Sequence, residues 1–235
     1  MLGRGILALA FALSPAVASA DPQVVTLGAR QLVIERPAGI PKGSLLLIPG
    51  GTTRTTIDAG GITSSQNFVI RTRALYQQAG YVTAFLDDPG DLRASIERLR
   101  ALAPPVIAVA TSRGTILAAR SAAALGKDGP DLLVLSSPVT AASRRNPEST
   151  NDVDVRAIVQ PTLVVENELD GCAVSPPAGA ATLARAIPHA QLMTFRSSAA
   201  TSDPCEALAP HGYLGIEPQV VSAILTWIAQ TAASR

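Results

Sequence analysis

Apolar runs of strand length alternate with helical patterns along nearly the whole chain, and the links between them are short. The clearest runs are Ser44–Ile48 and Val106–Ala110. Within them, Leu45-Leu46-Leu47-Ile48 and Val106-Ile107-Ala108-Val109 carry no polar side chain. A strand that is apolar at every position is covered on both faces. Strand–helix–strand order with short links requires crossover connections, and these make neighbouring strands parallel. The pattern predicts an α/β fold around a mostly parallel sheet.

Further strands are expected at Val24–Leu27 and Gln31–Ile34, turned at Gly28-Ala29, and at Tyr81–Leu86, Leu132–Leu135, Thr162–Val165 and Gln191–Phe195. Helical periodicity marks Phe68–Ala79, with Asn67 as cap and Gly80 as stop. It also marks Asp91–Leu102, Thr115–Leu125, Ala178–Ala186 and Pro218–Ala232, with one short helix expected at Val153–Ile158. There is no internal repeat and no long linker, so residues 21–235 read as one domain.

Residues 1–20 read differently. Arg4 precedes the apolar run Gly5–Val17, and Ala18-Ser19-Ala20 has the small-x-small form of a cleavage site. That order is the signature of a secretory signal peptide, with the mature chain starting at Asp21 and exported to the periplasm or the medium. No cysteine at the cleavage point offers a lipid anchor, and no second stretch is apolar enough to span a bilayer. Of 235 residues 47% are hydrophobic and 16% charged, which excludes a disordered chain. A net charge of +1 gives no footprint for nucleic acid or an anionic membrane. The two cysteines, Cys172 and Cys205, allow one intramolecular disulfide, which an oxidising compartment favours. Two cysteines and two scattered histidines do not make a metal site, and no cofactor is implied.

In parallel sheets of this kind, chemistry collects at the carboxyl ends of the strands. After Val106–Val109 comes Ala110-Thr111-Ser112-Arg113-Gly114, a strand running through a sharp turn into a helix. This is the setting of a nucleophile elbow, with Ser112 as nucleophile and Ala110 in place of the usual first glycine. The competing reading of Ser112 is a helix cap. A serine nucleophile needs a base. His189 precedes the strand Gln191–Phe195 and so lies at the wrong end of the sheet, whereas His211 follows the last strand. An acid must then fix the imidazole tautomer. Glu166, Glu168 and Asp170 compete after Thr162–Val165. Asp170 is favoured because it sits in the turn, with Glu168 next, and Glu166 is placed still at the strand end.

Cys172 lies just past Asp170 and Cys205 just before His211, so their disulfide would staple the acid loop to the base loop. Oxyanion donors are expected from the backbone N–H groups of Arg113 and Gly51, with Thr52 as the alternative to Gly51. Asp87-Asp88 reads as a turn or cap. Arg54, Arg71, Arg73 and Arg93 carry no assigned role, and Arg71-Thr72-Arg73 reads as a solvated helix face.

Ile48-Pro49-Gly50-Gly51, Thr111-Ser112-Arg113-Gly114-Thr115, Asp170-Gly171-Cys172 and His211-Gly212-Tyr213-Leu214-Gly215-Ile216-Glu217 together resemble the α/β-hydrolase superfamily, and within it small exported bacterial hydrolases. The resemblance spans the mature chain. It implies a doubly wound sheet of about eight strands and a Ser–His–Asp triad. It implies no particular substrate. Only residues 139–161 stand where relatives insert a cap, so an open, capless site is expected. The expected function is hydrolysis of a small or surface-presented carboxylic ester through an acyl-enzyme. A serine peptidase or amidase on the same triad and a non-catalytic hydrolase-like binding protein are the alternatives.

Overall fold

A computed structural model describes residues 21–51, 55–58, 61–86, 90, 92–144 and 147–234. The expected signal peptide at residues 1–20, Thr52, Arg54, Asp87, Asp88 and the expected helix start at Asp91 lie outside the described residues.

The main sheet has eight strands. In chain order these are β1 (Gln23–Leu27), β2 (Arg30–Glu35), β3 (Ser44–Ile48), β6 (Val82–Leu86), β7 (Val106–Thr111), β8 (Leu132–Ser136), β9 (Thr162–Asn167) and β10 (Ala190–Phe195). Across the sheet they run β1-β2-β6-β3-β7-β8-β9-β10. The β1–β2 and β2–β6 pairs are antiparallel, and every later pair is parallel. The eight expected strands are all present. A separate two-stranded ribbon, β4 (Thr56–Asp58) with β5 (Gly61–Ser64), was not expected. Its strands are short, and their threonines, serine and glycine give no hydrophobic alternation to read.

Alternate residues of the central strands feed opposite faces. Leu46, Ala108, Leu133 and Leu135 pack with Ile96 and Leu99 of α3 (Arg93–Leu102), Ala118 and Ala119 of α4 (Gly114–Leu125) and Leu183 of α5 (Pro177–Ala186). Leu45, Leu47, Ile107 and Val109 pack with Phe68 of α1 (Phe68–Arg71), Tyr76 of α2 (Arg73–Gln78) and Ile224 and Trp227 of α6 (Glu217–Ala233). Truncating a side chain such as Leu46, with no exposed surface, costs about 2–5 kcal/mol.

Two helical expectations need correction. Phe68–Ala79 is not one helix, because it breaks at Thr72, whose hydroxyl donates back to the Phe68 carbonyl at 2.7 Å. Such back-bonding competes with the helical ladder. The expected helix at Val153–Ile158 is instead a 3₁₀ turn at Val155–Ala157, preceded by another at Thr150–Asp152. Neither amounts to a cap among the described residues of 139–161.

Candidate active site

The elbow follows β7 directly. Ser112 has φ +52°, a left-handed conformation rare for a side-chain-bearing residue. It is held there on both sides: its N–H donates to Ser136 O at 3.0 Å, and its carbonyl accepts from the Thr115 N–H and hydroxyl at 2.9 and 2.6 Å. This is no cap geometry, since α4 has no side-chain cap bond and Arg113 stands in the cap position. The turn tolerates little bulk. A Cβ on Gly114 would collide with the carbonyl oxygens of Ile48 and Pro49, the latter at 2.7 Å. A Cβ on Gly50 would come within 2.6 Å of Arg113 N, Ser112 Cβ and Thr111 O. Ala110 is completely buried, so its methyl group fits where glycine is usual.

His211 lies in a 3₁₀ turn, Pro210–Gly212, after β10. Its Nδ1 is 2.7 Å from Asp170 Oδ2, and both side chains are buried. The other Asp170 oxygen accepts the Cys172 N–H at 2.8 Å. A carboxylate acceptor at Nδ1 puts the ring proton there and leaves Nε2 with its lone pair. Nε2 is buried and has no hydrogen-bond partner among the described residues. His211 and Ser112 line one small cleft of about 40 Å³, together with Gly50, Gly51, Asn67 and Phe68. Cys205 and Glu206 form another part of its wall. A larger open groove of about 530 Å³ adjoins it along Gly51, Arg113, Leu117, Arg120 and Glu148.

The other candidate acids are placed elsewhere. Glu168 is exposed and binds Thr194 and Arg196. Glu166 is the penultimate residue of β9, as expected, and is buried. Burial, reinforced by the Asp170 charge and opposed by its bond from the Asn167 N–H, pushes the Glu166 carboxyl up to about 9. It is therefore neutral near pH 7, which leaves Asp170 as the anion facing His211. His189 is exposed just before β10, at the far end of the sheet. Cys172 and Cys205 form the expected disulfide, with Cα atoms 4.5 Å apart.

Solved structures align with this geometry over nearly the whole chain. Est1E from Butyrivibrio proteoclasticus superposes with a TM-score of 0.62 at 14% identity, covering 91% of this chain and 100% of that one. Esterase 2 of Thermogutta terrifontis gives 0.61 at 14% identity, covering 93% and 98%. The thioesterase domain from the curacin biosynthetic pathway gives 0.58 at 13% identity, covering 90% and 99%. The chain has the α/β-hydrolase fold. No family model matches its sequence, and no curated protein does.

Within that hydrolase fold, several supporting residues were not readable in advance. The Tyr213 hydroxyl donates to Val165 O at 3.0 Å and accepts from the Ser137 N–H, while the Ser137 hydroxyl donates to His211 O at 2.8 Å. This ties the base loop to the ends of β8 and β9. Burial, with the nearby Glu166 carboxyl adding to it, holds the Tyr213 phenol well above its usual range, so it remains a donor. Asn167 donates to both Ser197 O and Pro210 O, bridging the acid and base loops. Arg71 is not a solvated residue: it donates to Gly212 O and pairs with Glu217 at 2.9 Å. Arg73 likewise pairs with Glu35, whereas the Arg93 pairs are at the surface. Such partners are distant in sequence, so only the fold reveals them.

Proposed function

We propose that the chain is a serine hydrolase that cleaves carboxylic esters through an acyl-enzyme. The observation that carries this is the buried Asp170–His211 hydrogen bond, which leaves Nε2 without a hydrogen-bond partner among the described residues, on a side chain that lines the same cleft as Ser112. Ser112 Oγ attacks the ester carbonyl carbon as His211 Nε2 takes its proton. Asp170 holds the ring and stabilises the imidazolium. The N–H groups of Gly51 and Arg113 stabilise the tetrahedral oxyanion. Its collapse breaks the bond to the leaving alkoxide, which takes the proton from His211 and departs as the alcohol. Water, deprotonated by His211, then adds to the acyl carbon, and collapse returns the proton to Ser112 and frees the acid. No cofactor enters. Two of the similar structures, esterase 2 of Thermogutta terrifontis and the curacin-pathway thioesterase domain, agree with ester chemistry. The Cys172–Cys205 disulfide agrees with export to an oxidising compartment.

The test is labelling with a fluorophosphonate serine probe, followed by assay on p-nitrophenyl esters of graded acyl length. Wild type is expected to label and turn over, and Ser112→Ala and His211→Ala to do neither. An unlabelled wild type, or label that survives Ser112→Ala, defeats the assignment.

A second reading, a peptidase or amidase acting on amine-bearing substrates, draws on Glu206. This exposed carboxylate lines the cleft and has no ion-pair partner among the described residues. Matched esters and anilides with and without a free amine distinguish the two readings. Preference for the amine-bearing anilides, lost in Glu206→Gln, would select the second.

A further inference from the structure

We infer that Asn67 is a positioning residue for the oxyanion hole: it fixes the orientation of the Gly50–Gly51 peptide and so aims the Gly51 N–H. The inference rests on the serine-hydrolase reading above and extends it to a residue with no hydrogen bond to Ser112 or His211 among the described residues.

Asn67 is 6% exposed and is the residue before α1. Its Oδ1 accepts the Val69 N–H at 3.2 Å, which caps the helix. Its Nδ2 donates to Gly50 O at 3.2 Å, across 17 residues of sequence. The two bonds settle the amide orientation between them, because the Val69 N–H can only donate and the Gly50 carbonyl can only accept.

The bond matters because of what it holds. The Gly50–Gly51 peptide is planar, with its C=O and the following N–H on opposite sides. Anchoring the oxygen therefore fixes the direction of the N–H. The backbone on either side of this peptide is itself permissive. Glycine stands on both sides of it, and Gly51 has φ +75° and is exposed. A donor for an oxyanion gains most when it needs no reorganisation at the moment of reaction. Meanwhile Gly50 lies against the elbow so closely that a Cβ there would strike Arg113 N. The anchored peptide thus lies beside the amide proposed as the second donor. Arg71, from the same short helix, holds Gly212 O, next to the base. One four-residue helix with its cap residue therefore grips both the oxyanion loop and the base loop.

The decisive variant is Asn67→Asp. An ionised aspartate is close to isosteric, and it still accepts the Val69 N–H and caps the helix. It has no donor for Gly50 O. Asn67→Ser makes the same separation, since serine caps well but is too short to reach Gly50. In both variants kcat on the best p-nitrophenyl ester is expected to fall about 10- to 100-fold, less than the roughly 100- to 1,000-fold for deleting a donor outright. KM should stay within about twofold, because the donor acts on the transition state more than on bound substrate. A trifluoromethyl ketone with the same acyl chain forms a hemiketal oxyanion on the serine. Its Ki is expected to rise by the same factor as kcat/KM falls, while Tm changes little.

Unchanged kcat overturns the inference. So does a fall in kcat with the trifluoromethyl ketone Ki unmoved, which would mean that the rate is lost by another route. If neither variant folds, Asn67 serves the fold alone and the inference is likewise overturned. Fluorophosphonate labelling of wild type is run beside these assays. Failure to label defeats the serine-hydrolase reading itself, whereas labelling with an insensitive Asn67 defeats only this extension.

Discussion

Ser112 stands in a turn enclosed by backbone, while Asp170 and His211 stand on loops tied together by side chains. Around the elbow, the groups that exclude bulk are the carbonyls of Ile48 and Pro49 and the peptides on either side of Ser112. Around the acid and base, the ties are the Asn167 amide, the Tyr213 and Ser137 hydroxyls, the Arg71 guanidinium and the disulfide. The first arrangement follows from adjacent parallel strands, which are rigid whatever their side chains. The second spans longer connections and must be built from specific partners. Catalysis by the proposed mechanism needs both, but the two halves should fail differently.

The largest effect is expected at the elbow. Ser112→Ala removes the covalent route, and kcat should fall by about a million-fold while the fold stays intact. A residual ester hydrolysis within tenfold of wild type would dismiss Ser112 as nucleophile. On the other half, Asp170→Asn keeps the shape but favours the wrong imidazole tautomer, with an expected loss of about ten-thousand-fold in kcat. If the two variants lost equal activity, the contrast between nucleophile and orienting group would be erased.

The placement of Ser112 and Asp170 at one end of the sheet was readable because each comes soon after a buried, largely apolar strand. Leu45 to Ile48 and Val106 to Val109 could be nothing but central strands, and the polar residues after them had to lie at one end of the sheet. Asp170 and His211 were placed by the same logic, and the two cysteines brought their loops together. What was not readable is equally specific. The helix interruption at Thr72, where the side-chain hydroxyl also bonds back to the Phe68 carbonyl, is not encoded in periodicity. Arg71 looked solvated because its partners, Gly212 and Glu217, are 141 and 146 residues away. The neutrality of Glu166 depends on complete enclosure beside Asp170, a property of packing that no local pattern carries.

The disulfide sharpens the comparison at intermediate size. Cys172 and Cys205 are 33 residues apart, and closing a loop of that length contributes about 3–4 kcal/mol in the chain-entropy model. The paired variant Cys172→Ser with Cys205→Ser should lose stability of that order in denaturant titration. Its kcat should fall, because His211 and Asp170 lose a common tether, but it should still label with fluorophosphonate, because the elbow does not depend on the bridge. Loss of labelling equal to that of Ser112→Ala would mean that the halves are not separately held. No change in stability or kcat would make the staple irrelevant.

Glu166 gives the most diagnostic effect, read in stability and its pH dependence rather than in kcat, and it belongs wholly to the side-chain-built half. Its carboxyl is raised from 4.5 to about 9 in the folded protein. Below about pH 4.5 it is protonated in both folded and unfolded chains, so it adds no pH dependence. Between about 4.5 and 9 the unfolded chain releases the proton and the native state retains it. The native state then binds more protons, so the contribution of Glu166 to stability falls as pH rises, by at most about 1.4 kcal/mol per pH unit. Above about 9 both states are ionised and the loss stops. Glu166→Gln stays neutral throughout and should remove this slope. Chemical denaturation of wild type and variant at pH 4.5, 6.5 and 8.5 measures it. The variant is expected to gain on wild type steadily with pH. A constant difference across the three values would mean that Glu166 is ionised in the native state, and Asp170 would then share its enclosure with a second negative charge.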